Sequence, residues 1–183
     1  EIESIDMGKS VAAARAVDLQ GTVDTLRYFA GWATKIHGRT VEPSLPGNYL
    51  AYTRKEPIGV VGAIVPWNFP LQTMAWKLGA ALATGCTVVI KPAELTSLSA
   101  LRFAELVQQA GIPEGVVNIV TGRGSVVGAA MATHPGIDKL TFTGSTPVGR
   151  TVGRAALDDM KRLTLELGGK SPVIVLADAD VPA

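Results

Sequence analysis

Apolar and polar positions alternate along this chain in two rhythms. In the first stretch, Leu26, Phe29, Ala30 and Ala33 recur at the spacing of one buried helical face, and the pattern predicts a helix over Val11–His37 closed by Gly38. Thr40–Asn48 holds Pro43, Pro46 and Gly47 and reads as a connection. Tyr49–Arg54 alternates, with Tyr and Thr suited to an exposed or edge strand. From Gly59 the rhythm changes. Short apolar runs at Val60–Val65, Thr87–Ile90, Val116–Val120, Lys139–Thr143 and Arg162–Leu165 predict strands, and Val173–Leu176 predicts one more after the Gly168-Gly169 break. Helical faces lie between them. Leu71, Met74, Ala75, Leu78 and Leu82 form one, ended by Gly85. Phe103, Leu106, Val107 and Ala110 form another, capped by Thr96 or Ser97 and stopped by Gly111 and Pro113. Ser125–Thr133 is a weaker helix and Thr146–Leu157 a clearer one. Apolar strands alternating with amphipathic helices predict an α/β fold, a parallel sheet covered on both faces. Right-handed crossovers then gather the strand-to-helix loops at one edge, where ligands bind in open sheets of this kind.

Composition narrows the class. The chain has 183 residues, 47% of them apolar and 18% charged, which is a globular balance sized for one domain or one and a fraction. A net charge of +1 gives no electrostatic reason for nucleic acid or an anionic membrane as partner. A single cysteine, Cys86, excludes an internal disulfide framework. With only His37 and His134 beside it, no protein-built metal site is expected. The longest apolar stretch, Leu78–Ile90, is broken by Gly79 and Gly85 and falls short of a membrane span. Nothing at the start combines basic residues with an apolar stripe, so a cytoplasmic compartment is the expectation.

The loops after the strands hold the unusual residues. Pro66-Trp67-Asn68-Phe69-Pro70 is stiffened by two prolines. Asn68 there is either a turn residue bonding its own backbone or an amide donor aimed at a developing oxyanion. Lys91-Pro92-Ala93-Glu94 is either a surface ion pair or a ribose-binding pair, with Glu94 accepting from ribose hydroxyls and repelling a 2′-phosphate. Gly122-Arg123-Gly124, with Gly128 beyond, misses the dinucleotide fingerprint by one residue, and close packing of loop on helix is the simpler role. Gly144–Thr151 matches a triphosphate-binding loop except that Arg150 stands where lysine is required, and arginine does not replace that compact charge. No companion magnesium-binding aspartate ends a strand. A Gly-Ser-Thr turn opening a helix is nonetheless a good diphosphate site. In Leu165-Glu166-Leu167-Gly168-Gly169-Lys170, Glu166 lies between leucines on a strand. It either points outward at the sheet edge or serves as a general base with its pKa raised by an apolar wall.

In this order and at this spacing, Pro66–Pro70, Lys91–Glu94, Phe142–Thr146 and Leu165–Lys170 resemble the aldehyde dehydrogenase superfamily, over nearly the whole chain. The resemblance implies a Rossmann-like, doubly wound parallel sheet and oxidation of an aldehyde to a carboxylic acid by NAD, with NADP as the alternative. It implies attack by a cysteine thiolate, hydride departure to the nicotinamide, and release of a thioester by water. Glu166 would activate that water and Asn68 would stabilise the oxyanion. Lys91 and Glu94 would hold the adenosine ribose and Ser145 the diphosphate. Trp67, Gly124, Gly128, Gly144, Gly149 and Leu167 would complete the cofactor site. The implied division is 1–48 as the N-terminal helical part of the cofactor domain, 49–57 as an oligomerisation-type strand, 58–169 as the dinucleotide-binding core and 170–183 as the start of a catalytic domain. The implied parent is a homodimer or homotetramer. Cys86 reads as a buried structural thiol, so the family's nucleophile is expected to lie beyond Ala183 and the chain alone to be inactive. Two other classes remain open at this point: a non-catalytic dinucleotide-binding or structural module, and a phosphoryl-transfer protein acting through Gly144–Thr151.

Overall fold

Val60–Ile64 is apolar without alternation because both of its faces are dry. This strand, β3, lies at the centre of a five-stranded parallel sheet in the order β5-β4-β3-β6-β7. The computed structural model describes residues 1–180. Its strands are β3, β4 (Thr87–Lys91), β5 (Val117–Ile119), β6 (Lys139–Gly144) and β7 (Arg162–Leu167). In register, Ile64 lies between Lys91 of β4 and Phe142 of β6, and Thr143 pairs with Glu166. Helices α4 (Pro70–Ala83) and α5 (Leu98–Gln109) cover one face, burying Met74, Leu78, Val88 and Ile90. Helices α6 (Ala129–Thr133) and α7 (Thr146–Asp158) cover the other, burying Ile64, Leu140, Phe142 and Val152. The chain winds outward from β3 to β5, then crosses back to set β6 on the other side of β3. That reversal opens a crevice between the ends of β3 and β6.

The cover of β6 and β7 is one-sided. Leu140, Phe142, Leu163 and Leu165 turn toward α6 and α7. Lys139, Thr141, Thr143, Arg162, Thr164 and Glu166 alternate to the opposite side, where α4 leaves room. The sequence carries this face as polar positions inside apolar strands.

Ahead of the sheet come α1 (Ile2–Met7), α2 (Val11–Ala13), a π-helical segment (Ala14–Leu19) and α3 (Gln20–Ala30). The predicted helix over Val11–His37 is therefore shorter and wider in its second turn. The π segment lets the fully buried Asp18 turn inward to Lys9, whose Nζ lies 2.6 and 2.8 Å from its two carboxylate oxygens. Gly38 does not close a helix. Its Cα lies so near the Thr53 carbonyl that any Cβ would clash, because β1 (Thr40–Val41) and β2 (Ala51–Tyr52) pair antiparallel beside it. The stretch read as a connection thus supplies one two-residue strand, and the alternating stretch supplies the other.

Two further expectations change. Ser97 occupies the N-cap of α5 without capping it, and Asp6 of α1 does so instead, accepting from the Ser99 N–H at 3.1 Å and the Ser99 hydroxyl at 3.2 Å. Val173–Leu176 forms no strand. Residues 168–176 lack regular structure and these four side chains are exposed, for no described strand pairs with them. Residues 181–183, the last of the 170–183 stretch, lie outside the described residues.

Helix α3 approaches α4 closely because Gly79 faces Phe29. A Cβ on Gly79 would sit 2.7 Å from the Phe29 ring and 3.1 Å from its Cβ. Gly79→Ala is expected to destabilise the chain by about 1–3 kcal/mol through overpacking, read as a lower urea midpoint with an unchanged slope. A midpoint equal to that of the native sequence would show that the two helices part without strain.

Candidate functional site

The loop after β3 is pinned at both ends. The Val65 N–H donates to the Lys91 carbonyl at 3.1 Å, and the Phe69 carbonyl accepts from Thr73 at 3.0 Å as the first bond of α4. Pro70 is fully buried at the first helical position, where its fixed φ fits and its missing N–H costs nothing. Between these anchors Trp67 and Asn68 are exposed, at the edge where β3 ends.

Beside it, β4 ends in Lys91, which is only 2% exposed. Its Nζ donates to the Pro92 carbonyl at 2.9 Å. Burial pushes its pKa below the ordinary lysine value, and Glu94 works against that shift. Glu94 itself is exposed. Gly128 lies over this corner, its vacant side facing Ile64 and the Lys91 stem, while Gly124 faces open space. Both belong to a π-helical segment (Gly124–Gly128) that opens the weak helix and runs into α6. Gly122, at φ +142° and with Val127 against it, is the position in this loop that only glycine fills without strain.

On the other side of β3, β6 ends at Gly144, where a Cβ would come within 2.6 Å of the Phe142 ring. Ser145 follows at the N-cap of α7 in extended backbone, with its side chain making no capping bond. It is exposed, and the free N–H groups of a 13-residue helix open beside it. One turn in, Gly149 is buried because Leu167 packs where its side chain would be. Glu166 stands one residue earlier on β7, exposed on the edge strand. The apolar wall expected around it is not formed by the described residues, because alternation sends Leu165 to the α7 side and Glu166 to the polar one.

Trp67, Asn68, Gly144, Ser145, Glu166 and Leu167 line one open groove of about 1430 Å³ between α4 and the polar face of β6 and β7. Lys91, Glu94, Gly124 and Gly128 lie outside it, at the ends of β4 and β5 along the same sheet edge, and Gly149 supports it from within α7. Cys86 lines the groove at its far end, one residue before β4 begins, and is buried. The five residues of β4 put it roughly 15 Å from the edge that carries Asn68 and Glu166. Among the described residues no group of three or more His, Cys, Asp or Glu is placed to hold a metal ion, and no helix is long and apolar enough to cross a membrane.

Several groove residues carry no motif in the sequence, Lys77 foremost among them. Lys77, on α4, donates from Nζ to Thr141 Oγ1 at 2.8 Å and lies within the field of Glu166. Its signal was present: a lysine between Met74 and Leu78, on the helical face that packs against the sheet. Burial lowers its pKa to about 8; Glu166 opposes the shift and Lys139 adds to it. Lys139 in turn donates to Thr164 at 2.8 Å.

The sequence model of the aldehyde dehydrogenase family matches residues 1–183. Retinal dehydrogenase 2 of Taeniopygia guttata is 58% identical over 181 residues, 98% of this chain and 35% of that protein. Aldehyde dehydrogenase 1A1 of Homo sapiens is 57% identical over 98% of this chain and 36% of its own length. Among solved structures, the NAD+ complex of an aldehyde dehydrogenase from Bacillus cereus superposes with a TM-score of 0.92 at 54% identity, covering 98% of this chain and 36% of that one. An NADP-dependent enzyme from E. coli also reaches 0.92, at 41% identity, with 98% of this chain and 37% of that one covered. The chain thus spans about 35% of the length of the curated relatives it matches.

The Lys77 shift has a sign that can be checked. A folded-state pKa near 8 against 10.5 unfolded means that the unfolded chain binds more protons between those values, so stability rises with pH across that window. The rise is expected to be on the order of 3 kcal/mol and to vanish in Lys77→Met, with the Lys77 side-chain carbon resonance titrating near pH 8 in the native chain. A titration midpoint at the ordinary lysine value would remove the basis for this window.

Proposed function

The chain belongs to the aldehyde dehydrogenase family, and we propose that it is the cofactor-binding part of an NAD-dependent enzyme that oxidises an aldehyde to a carboxylic acid. One observation carries the reading: Asn68, Ser145 and Glu166, from the ends of three different strands, line one groove at the point where the sheet reverses direction.

The residues fit a dinucleotide. Ser145 presents an uncommitted hydroxyl at a helix N-terminus, the arrangement that takes a diphosphate. Exposed Glu94 at the end of β4 accepts from the adenosine ribose, and a 2′-phosphate there would meet its charge. The buried, backbone-bonded Lys91 ammonium supports the same corner, with Gly128 laid over its stem and Gly124 leaving the approach open. Trp67, Gly144 and Leu167 form the groove wall, and Gly149 lets Leu167 seat against α7. When bound, NAD supplies the hydride acceptor.

The chain's own residues do the rest. The Asn68 amide donates to the oxygen of the aldehyde carbon as charge builds there. Glu166, open to solvent, takes a proton from the water that releases the acid. Cys86 is remote from both, so the attacking thiol comes from sequence other than these 183 residues, and the chain alone turns over no aldehyde. In the same reading 1–48 and 58–169 make up the cofactor domain, 170–183 leads into the catalytic domain, and 49–57 mediates assembly into a homodimer or homotetramer. Exposed Tyr49, Leu50 and Tyr52 support the last point. The setting is cytoplasmic, consistent with a free thiol and no disulfide.

Titration of the chain with NAD and with NADP tests the assignment. The native sequence is expected to favour NAD, and Glu94→Ala to erode that preference by about tenfold, since a charge-assisted hydrogen bond and a like-charge repulsion are both removed. Unchanged relative affinities would refute the ribose role. In an enzyme carrying this chain, Glu166→Gln is expected to lower turnover by at least about 10²-fold with cofactor affinity retained.

A further inference from the structure

Asn68 is exposed, so its direction must be set by its neighbours. On one side Pro66 and Trp67 offer little, for Trp67 is exposed as well. On the other side Phe69 is held from an unexpected quarter. The Nζ of Lys9 lies 3.8 Å from the centroid of the Phe69 ring, and the same ammonium makes both bonds to Asp18. Asp18 is fully buried and its own backbone carbonyl accepts from the Thr22 hydroxyl at 2.7 Å, so its carboxylate has a fixed origin in the π-helical segment. A second contact from the same region reaches the far side of the loop, where the buried Glu3 accepts from the Leu71 N–H at 3.4 Å.

We propose that Lys9, fixed by Asp18, is a positioning residue for Asn68: its charge rests on the face of the Phe69 ring and holds the Pro66–Pro70 loop in one conformation. The inference rests on the oxyanion role proposed for Asn68 and adds the part of the chain that makes that role geometrically definite. A cation on an aromatic face gains most when it is withdrawn from water, and the Lys9 side chain is only 19% exposed. A buried carboxylate without its partner is strongly unfavourable, so Asp18 keeps Lys9 from leaving the ring. Phe69 adjoins Asn68 and opens α4 with its carbonyl, so a fixed ring fixes the amide one residue earlier.

The test is the order parameter of the Asn68 backbone and side-chain amides in the isotopically labelled 183-residue chain, read by NMR relaxation. The native sequence is expected to show values near those of rigid helix, about 0.85, and the pair Lys9→Met with Asp18→Asn to drop them below about 0.6. That pair removes both charges together and leaves no unpaired carboxylate. Lys9→Arg, which keeps a cation able to stack on the ring, is expected to restore the native value. Phe69→Leu alone is expected to loosen Asn68 as much as the charge pair, and it decides the matter if that pair does not fold. A purely structural role would lower the melting temperature and leave Asn68 as ordered as before; that result overturns the proposal. An NAD titration of the native chain runs alongside. Failure to bind NAD with Asn68 ordering still dependent on Lys9 refutes the functional reading and leaves the positioning result standing.

Discussion

The structure depends on β3 being paired on both edges and buried on both faces. Gly62 at its centre allows Leu140 and Ile137 to close over it, and a Cβ there would come within 2.8 Å of Leu140. Such a strand cannot shift its register without exposing apolar residues on one side or other, since each step of one residue exchanges the two faces. Because the chain leaves β3 toward β4 and returns on the opposite side at β6, the ends of β3 and β6 are held apart at a fixed spacing. Every residue assigned to chemistry hangs from that spacing. The Asn68 loop begins where β3 ends, Ser145 begins where β6 ends, and Glu166 is carried beside Thr143 by the β6–β7 pairing.

What the sequence disclosed follows from this constraint. Strands buried on two faces must be apolar runs, and helices covering them must be amphipathic, so the five sheet strands and the helices α4, α5 and α7 were legible from periodicity. Gly85 and Gly111 do lie in left-handed backbone at the ends of α4 and α5, as their positions foretold. The elements that periodicity missed are those whose causes are not local. Asp6 caps α5 from 93 residues away, and no reading of Thr96-Ser97 could contain it. The π-helical turn at Ala14–Leu19 exists to bury a carboxylate, a tertiary demand that helix propensity does not encode. Gly38 has the position of a helix end because glycine often is one, whereas the structure uses it for close approach to Thr53. Val173–Leu176 has a strand's composition without a strand's partner, and composition alone pairs nothing.

The candidate site was legible in a similar, partial way. Motifs located Asn68, Ser145 and Glu166, and strand order explains why they meet. They did not reveal orientation. The same Leu-Glu-Leu string is compatible with a carboxylate in an apolar wall or on an open face, and only the alternation along β7 decides between them. Nor did they reveal Lys77, which enters the groove from a helix rather than a loop. Residues that act on a site from behind, such as Lys9 on Phe69, carry no motif, because their requirement is a charge at a distance in space.

The polar face of β6 and β7 makes sense only against the dryness of the rest. On the β4 side, α4 and α5 bury Met74, Val88, Ile90 and Ala100 in an apolar core. On the β7 side, Lys77 donates to Thr141 and Lys139 to Thr164, and Glu166 lies within the field of Lys77. Burial disfavours the charge on Lys77 and the neighbouring Lys139 repels it, while the Glu166 carboxylate opposes both in part. The alternation along β7 that turns Glu166 into the groove thus sets a carboxylate where it offsets part of the cost of burying a charge on α4.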